Sequence, residues 1–185
     1  MRIEDLVFVT SNLGKLREAE EVLGMKLQHR ALDLPEVQSL SLEEVVRHKA
    51  RTAHERLGVA VLVEDTSLEL AGLAGFPGPL VRWLLAAVGP GGSCRVAQAF
   101  ADPRAVARCL VWATDGTTEV SGLGVVRGVI GERPRGQGGF GWDSAFMPDG
   151  LRRTYAEMED AEKNAISHRR KAFEALRAAL GEPPV

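Results

Sequence analysis

The apolar run Val59-Ala60-Val61-Leu62-Val63 stops on Glu64-Asp65 and continues as Thr66-Ser67. A short β-branched run ending in acid is the pattern of a buried parallel strand that delivers a carboxylate to the rim of a sheet, where open α/β sheets bind ligands. A carboxylate there can hold a hard metal ion or position a water for attack. Asp65 is therefore the candidate catalytic residue. Glu64, its neighbour on the strand, points to the other face and has a different task. The glycines and prolines from Gly72 to Pro79 read as a shaped loop.

Other segments carry groups that could converge on Asp65. Thr10-Ser11-Asn12-Leu13-Gly14-Lys15 lies between a short apolar strand, Leu6–Val9, and a helical pattern with Leu16, Ala19 and Leu23 on one face. A helix N-terminus offers unpaired N–H groups and a positive dipole end, so Thr10, Ser11, Asn12 and Lys15 either hold a phosphate chain or form an ordinary capped loop. The spacing is not that of a Walker A loop. Glu36 follows the strand pattern Leu27–Leu32 on a proline-stiffened turn, as a ligand-binding or a solvated acid. Lys49 lies beside the apolar stripe of a helix opened by the capping box Ser41-Leu42-Glu43-Glu44 and closed after Leu57 by Gly58; it either snorkels or reaches a ligand. In Phe140-Gly141-Trp142-Asp143, two aromatic side chains stack on a planar base or form a small core. Ser167 as N-cap puts His168 and Arg169 in a first helical turn, where cations oppose the dipole and so point to a task beyond helix stability.

The elements that must position these groups alternate between strand and helix patterns. After the Asp65 strand comes an amphipathic helix from Pro79 with Leu80, Trp83, Leu84 and Val88, ended by Gly89-Pro90-Gly91-Gly92, then a short helix Val96–Phe100. Val106–Thr114 and Glu119–Ile130 read as antiparallel strands joined through Asp115-Gly116, and residues 131–139 as a loop that is flexible until something orders it.

With 185 residues and 45% apolar content the chain has enough material for one domain with a sizeable core. A net charge of −2 excludes a generic nucleic-acid or membrane-surface binder, so any phosphate site is local. Cys94 and Cys109 follow no metal-ligand spacing and read as reduced thiols. The lack of an apolar run of membrane-spanning length and of a secretory h-region predicts a soluble, cytoplasmic protein.

Taken in order, seven motifs resemble the inosine triphosphate pyrophosphatase family: Thr10 to Lys15, Leu34-Pro35-Glu36, Val63 to Ser67, Gly75-Phe76-Pro77-Gly78-Pro79, Phe140 to Asp143, Thr154-Tyr155-Ala156-Glu157-Met158, and Lys163-Asn164-Ala165-Ile166-Ser167-His168-Arg169. Ser11 stands where some members carry glycine. The resemblance implies hydrolysis of ITP, dITP and XTP to the monophosphate and pyrophosphate, by attack of water on the α-phosphorus. It implies that Thr10, Ser11, Asn12, Leu13, Gly14 and Lys15 cradle the triphosphate with Lys49, Lys163 and Thr66. It implies that Glu36 and Asp65 hold Mg²⁺, with Asp65 also the general base. It also implies that Phe140, Gly141, Trp142, Asp143, His168 and Arg169 surround the purine. Arg169, having only donors, suits a 6-oxo group and meets the 6-amino group of adenine donor to donor. The implied fold is α/β, a long twisted mixed sheet flanked by helices, in two lobes with a central cleft. The implied domain is 1–185 with a smaller lobe at about 105–139, and the implied assembly a homodimer. A Maf-type nucleotide pyrophosphatase shares a similar fold and chemistry, but the Phe140 to Asp143 and Ser167-His168-Arg169 motifs favour the first family. A catalytically silent nucleotide-binding module is distinguished by Asp65→Asn, which in that case changes neither binding nor any trace hydrolysis.

Overall fold

A computed structural model describes residues 1–183. Seven strands form one mixed sheet. On its parallel side, β1 (Val7–Val9) pairs with both β2 (Gln28–Arg30) and β3 (Val61–Leu70). On its antiparallel side, β3 pairs with β5 (Arg104–Thr114), β5 with β6 (Glu119–Ile130), and β6 with β7 (Phe146–Pro148). The two-residue β4 (Pro77–Gly78) folds back onto β3. The β5–β6 turn forms as its local chemistry dictates: Asp115 Oδ1 accepts from the Thr117 and Thr118 N–H groups. Residues 105–139, the expected smaller lobe, contribute β5 and β6, which run through the middle of this one sheet.

Alternation along the strands assigns each face a core. Leu62, Cys109, Val111 and Ala113 face α1 (Leu13–Leu23) and α5 (His168–Ala179), with Phe8, Phe173 and Leu176 between them. Val61, Val63, Leu110 and Trp112 face the opposite way, onto Val46, Ala50 and Ala53 of α2 (Leu42–Leu57). At the far end of the strands, Leu68, Leu70, Ala107 and Ile130 meet α3 (Val81–Ala99), Phe146 and Tyr155. The helix α5 packs directly onto the backbone of β6 at Gly122 and Gly124, which carry no side chain. A Cβ on Gly122 would fall 2.2 Å from the Ala172 carbonyl oxygen, and one on Gly124 1.9 Å from that of His168. This contact sets the depth of His168 and Arg169.

Four expectations are corrected. The strand does not end at Asp65: β3 begins at Val61 and continues to Leu70, and only its pairing with β1, through Val61 and Leu62, stops short of the acid. The charged pair is tolerated in mid-strand because cations from other elements meet both carboxylates. The break at Gly89 (φ 66°, ψ 179°) is a single residue, and Pro90 opens the second helical segment at once instead of leaving a short helix from Val96. The strand at Leu27–Leu32 shrinks to three residues. Finally, the loop 131–139 is pinned without a ligand: Gly131, Arg135 and Gly138 N–H groups donate to the carbonyls of Ala145, Ser144 and Ala156, and Thr154 Oγ1 donates to the Arg135 carbonyl.

Candidate active site

Where β1 ends and β3 runs on, a cleft of about 610 Å³ opens. It is lined by the β1–α1 loop, the Glu36 turn and Lys49 of α2, and by Pro79, the start of α3 and the segment Phe140 to Trp142. Asp65 sits on its floor, with Oδ1 accepting from Lys15 Nζ at 3.2 Å and from its neighbour Thr66 N–H at 2.8 Å, and Oδ2 accepting from Lys49 Nζ at 2.6 Å. Lys49 also donates to Glu36 Oε1 at 2.9 Å. Burial alone would raise the Asp65 carboxyl, but Lys15 and Lys49 outweigh it and hold the group below its ordinary value. It is ionised at neutral pH.

The loop before α1 is a capped loop that also borders the cleft. Asn12 caps the helix, its Oδ1 accepting from Gly14 and Lys15 N–H groups at 2.9 and 3.2 Å, so these two donors are already used. Thr10, Ser11, Asn12 and Lys15 nevertheless line the cleft, whereas Leu13 is exposed and Gly14 packs against the Phe140 ring. Glu36, Lys49, Thr66, Phe140, Gly141 and Trp142 line it as well.

Asp143, Lys163, His168 and Arg169 do not line the cleft; they form a buried polar layer behind Phe140. Lys163 Nζ lies 5.0 Å and the Arg169 guanidinium 5.7 Å from the Phe140 ring centroid. Lys163 donates to Asp143 Oδ2 and Glu18 Oε1, each at 2.6 Å, and Arg169 donates to Glu18 and to Glu64 Oε2. Trp142 is largely buried, edge-on to Phe146 and 5.1 Å from the His168 ring, so the small-core reading describes most of its surface while one part reaches the cleft. Burial, and then Arg169 and Lys163, push His168 well below its ordinary value; it is neutral. Burial raises the Asp143 carboxyl despite Lys163.

Two residues, Arg82 and Glu18, escape sequence reasoning, which assigns Glu64 a separate task without naming its partners. Arg82 lines the cleft, with a guanidinium nitrogen 3.6 Å from Glu36 Oε2. As a cation in the first turn of α3 it carries the same signal that singled out His168 and Arg169. Glu18, one turn beyond Lys15 on α1, joins Lys163 to Arg169, and nothing in its local pattern distinguishes it from a surface acid. Glu64 proves to be a buried bridge. Together these side chains form an alternating series, Asp143, Lys163, Glu18, Arg169, Glu64, Lys15, Asp65, Lys49, Glu36. At one end it presents carboxylates and ammonium groups suited to a metal–phosphate complex, and at the other donors and acceptors behind an aromatic ring.

Among the described residues no group of three or more His, Cys, Asp or Glu side chains could hold a metal, and no helix is long and apolar enough to cross a membrane. The Ham1 family model matches residues 6–179. The chain is 45% identical over 177 residues to inosine triphosphate pyrophosphatase 2 of Trypanosoma cruzi (strain CL Brener), covering 94% of this chain and 90% of that protein. It is 39% identical over 173 residues to the dITP/XTP pyrophosphatase of Methanopyrus kandleri, covering 91% and 92%. The solved structure of a HAM1 protein from Coxiella burnetii superposes with a TM-score of 0.80 at 29% identity, covering 96% of this chain and all of the other.

Proposed function

The chain belongs to the Ham1 family, and from that footing we propose that it hydrolyses non-canonical purine nucleoside triphosphates, ITP, dITP and XTP, to the monophosphate and pyrophosphate. The observation that carries this reading is the cleft itself, in which Asp65 is ionised and flanked by Lys15 and Lys49 while a closed polar layer lies behind Phe140. Relatives named inosine triphosphate pyrophosphatase and dITP/XTP pyrophosphatase support the choice of substrate.

In this reading Lys15, Lys49 and Arg82 receive the phosphate chain, and Thr10, Ser11, Asn12 and Thr66 orient it. Asp65 positions a water and accepts its proton as that water attacks the α-phosphorus. The leaving pyrophosphate departs with its charge screened by the lysines, which are held in place before substrate arrives and so require little reorganisation.

The donor set fits Mg²⁺. Two hard carboxylates, Glu36 and Asp65, already converge on one cation, the Lys49 ammonium at 2.9 and 2.6 Å, and Mg²⁺ is typically held by one or two carboxylates, waters and substrate phosphate oxygens. When bound, the metal polarises phosphoryl oxygens and neutralises developing charge. The purine lies against Phe140 and the accessible part of Trp142, and Asp143, Lys163, His168 and Arg169 act from behind. For Arg169 to reach a 6-oxo group the Phe140 ring must turn aside, or Glu18 must share its donors. Homodimerisation and a cytoplasmic location, implied by the resemblance, belong to the same proposal.

A panel of nucleoside triphosphates with product identification tests this reading. Monophosphate and pyrophosphate from ITP, dITP and XTP, with ATP and GTP turned over far more slowly, is the expected result; diphosphate and phosphate, or no preference for the non-canonical bases, would refute it.

A further inference from the structure

Glu64 and Asp65 are adjacent on β3 and point to opposite faces, and the reaction as outlined uses only Asp65. The Glu64 side chain is wholly buried. Its Oε1 lies 2.9 Å from Lys15 Nζ, and its Oε2 accepts from Arg169 Nε and Cys109 Sγ, each at 3.1 Å. Four elements, α1, β3, β5 and α5, thus meet on one carboxylate. Neutralising Arg169 does not require it, since Glu18 already accepts from that guanidinium. Nor does neutralising Lys15, which also meets Asp65. Within the alternating series, Glu64 is the acid that joins a cleft cation to a cation of the buried layer; Glu18 and Asp143 join buried cations only, and Asp65 and Glu36 meet cleft cations only.

We propose that Glu64 is a positioning residue that sets Lys15 and Arg169 at one fixed separation, so that the phosphate-side cation and the base-side donor are registered to each other by a single carboxylate. The proposal rests on the nucleotide reading above. Its physical content is that a lysine is a point charge on a flexible stem. With Asp65 as its one partner, Lys15 can pivot about that acid; with Glu64 and Asp65 at 2.9 and 3.2 Å, on opposite faces of the strand, its position is determined. Arg169, buried between Glu18 and Glu64, is likewise held from two sides. Occupation of the base-side donor by the right purine therefore acts on the same group that locates the phosphate-side cation, and discrimination between bases is expressed in kcat as well as in KM.

The test measures kcat and KM for ITP and ATP in the unmodified protein, Glu64→Gln and Glu64→Asp, with melting curves to report folding. Glu64→Gln keeps the volume and removes the charge; kcat/KM for ITP should fall by about 30-fold or more and the ITP-to-ATP ratio by about tenfold. Glu64→Asp keeps the charge but, one methylene shorter, cannot span both cations, so it should lose the ratio too. A role confined to charge balance predicts instead that Glu64→Asp restores the ratio, and a role confined to folding predicts that both substrates lose activity in proportion; either result overturns the proposal. Should the Gln variant not fold, the Asp variant decides. An independent measurement leaves Glu64 in place: the effects of Lys15→Ala and Arg169→Ala on kcat/KM for ITP should be non-additive by about tenfold or more, and additive effects overturn the proposal. Absence of ITP turnover in the unmodified protein refutes the nucleotide reading and this proposal with it, whereas ITP turnover with an unchanged ratio in the variants refutes this proposal alone.

Discussion

Lys49 occupies the position between the two proposed metal carboxylates, and replacing it by methionine separates the contribution of the ammonium from that of the stem. Its contact with Asp65 Oδ2 is 2.6 Å between side chains that are 13% and 16% exposed, which places it among charge-assisted hydrogen bonds of about 1.5–3 kcal/mol. The contact with Glu36, whose side chain is 41% exposed, is screened by solvent and contributes roughly 0.2–1 kcal/mol. A divalent cation seating on the same oxygens must therefore displace an ammonium held by about 2–4 kcal/mol, the sum of those two contributions. A triphosphate gives the displaced lysine a new partner, so metal binding should be weak without nucleotide and strong with it. In Lys49→Met the competitor is gone. Mn²⁺ affinity without nucleotide should rise by at least about tenfold, equivalent to about 1.4 kcal/mol. The enhancement by a non-hydrolysed nucleotide analogue should shrink correspondingly. Mn²⁺ titration followed by electron paramagnetic resonance reads this without requiring turnover. Unchanged or weaker Mn²⁺ binding in Lys49→Met would refute the competition and with it the assignment of Glu36 and Asp65 as the metal pair.

Asp65→Asn should lower kcat for ITP by about 100-fold or more while nucleotide binding, followed by calorimetry, persists; retained turnover would remove Asp65 from the role of general base. Arg169→Ala should lower the ITP-to-ATP ratio of kcat/KM by about tenfold or more, and an unchanged ratio would take Arg169 out of base recognition. Acid should destabilise the fold through Glu64 and Asp65. Burial would raise both, but Arg169 and Lys15 hold Glu64, and Lys15 and Lys49 hold Asp65, below the ordinary 4.5 and 3.8, so the unfolded chain takes up protons first and stability is lost as pH falls below 4.5. Asp143, raised by burial, works in the opposite sense; the slope of melting temperature between about pH 6 and about pH 3 should flatten in Glu64→Gln. Gly122→Ala drives a Cβ to within 2.2 Å of the α5 backbone, which should cost about 1–3 kcal/mol and lower the melting temperature by roughly 3–10 °C.

Elements whose signals are local could be read from the sequence. The β6 strand at Glu119–Ile130 and the α2 helix from its Ser41 cap to Gly58 need only near neighbours, a turn carboxylate in the first case and cap hydroxyl and left-handed glycine in the second. The β7 strand, Phe146–Pro148, is too short to show alternation and exists because β6 offers it an edge. The sequence ends the Asp65 strand five residues too soon for a related reason: a charged pair is a stop signal unless its partners are known, and those partners, Lys15, Lys49 and Arg169, lie 50, 16 and 105 residues away from the acids they meet. Arg82 was legible in principle, by the dipole argument already applied to His168 and Arg169.

The site residues were legible singly as ambiguous groups and become specific only as a series. Buried ion pairs are weak evidence for stability, because the cost of desolvating each charge offsets the attraction, and apolar side chains of similar volume often serve the fold as well. Arg169, Lys163 and Glu64 are among the most buried polar side chains of the protein. A core built for stability alone would not place them where α1, α5 and β3 meet beside a cleft. Their arrangement is accounted for by geometry: each charge fixes the next, from Asp143 behind the aromatic ring to Glu36 at the cleft, and the two ends of that series are the places where a base and a phosphate chain must be recognised at a set distance.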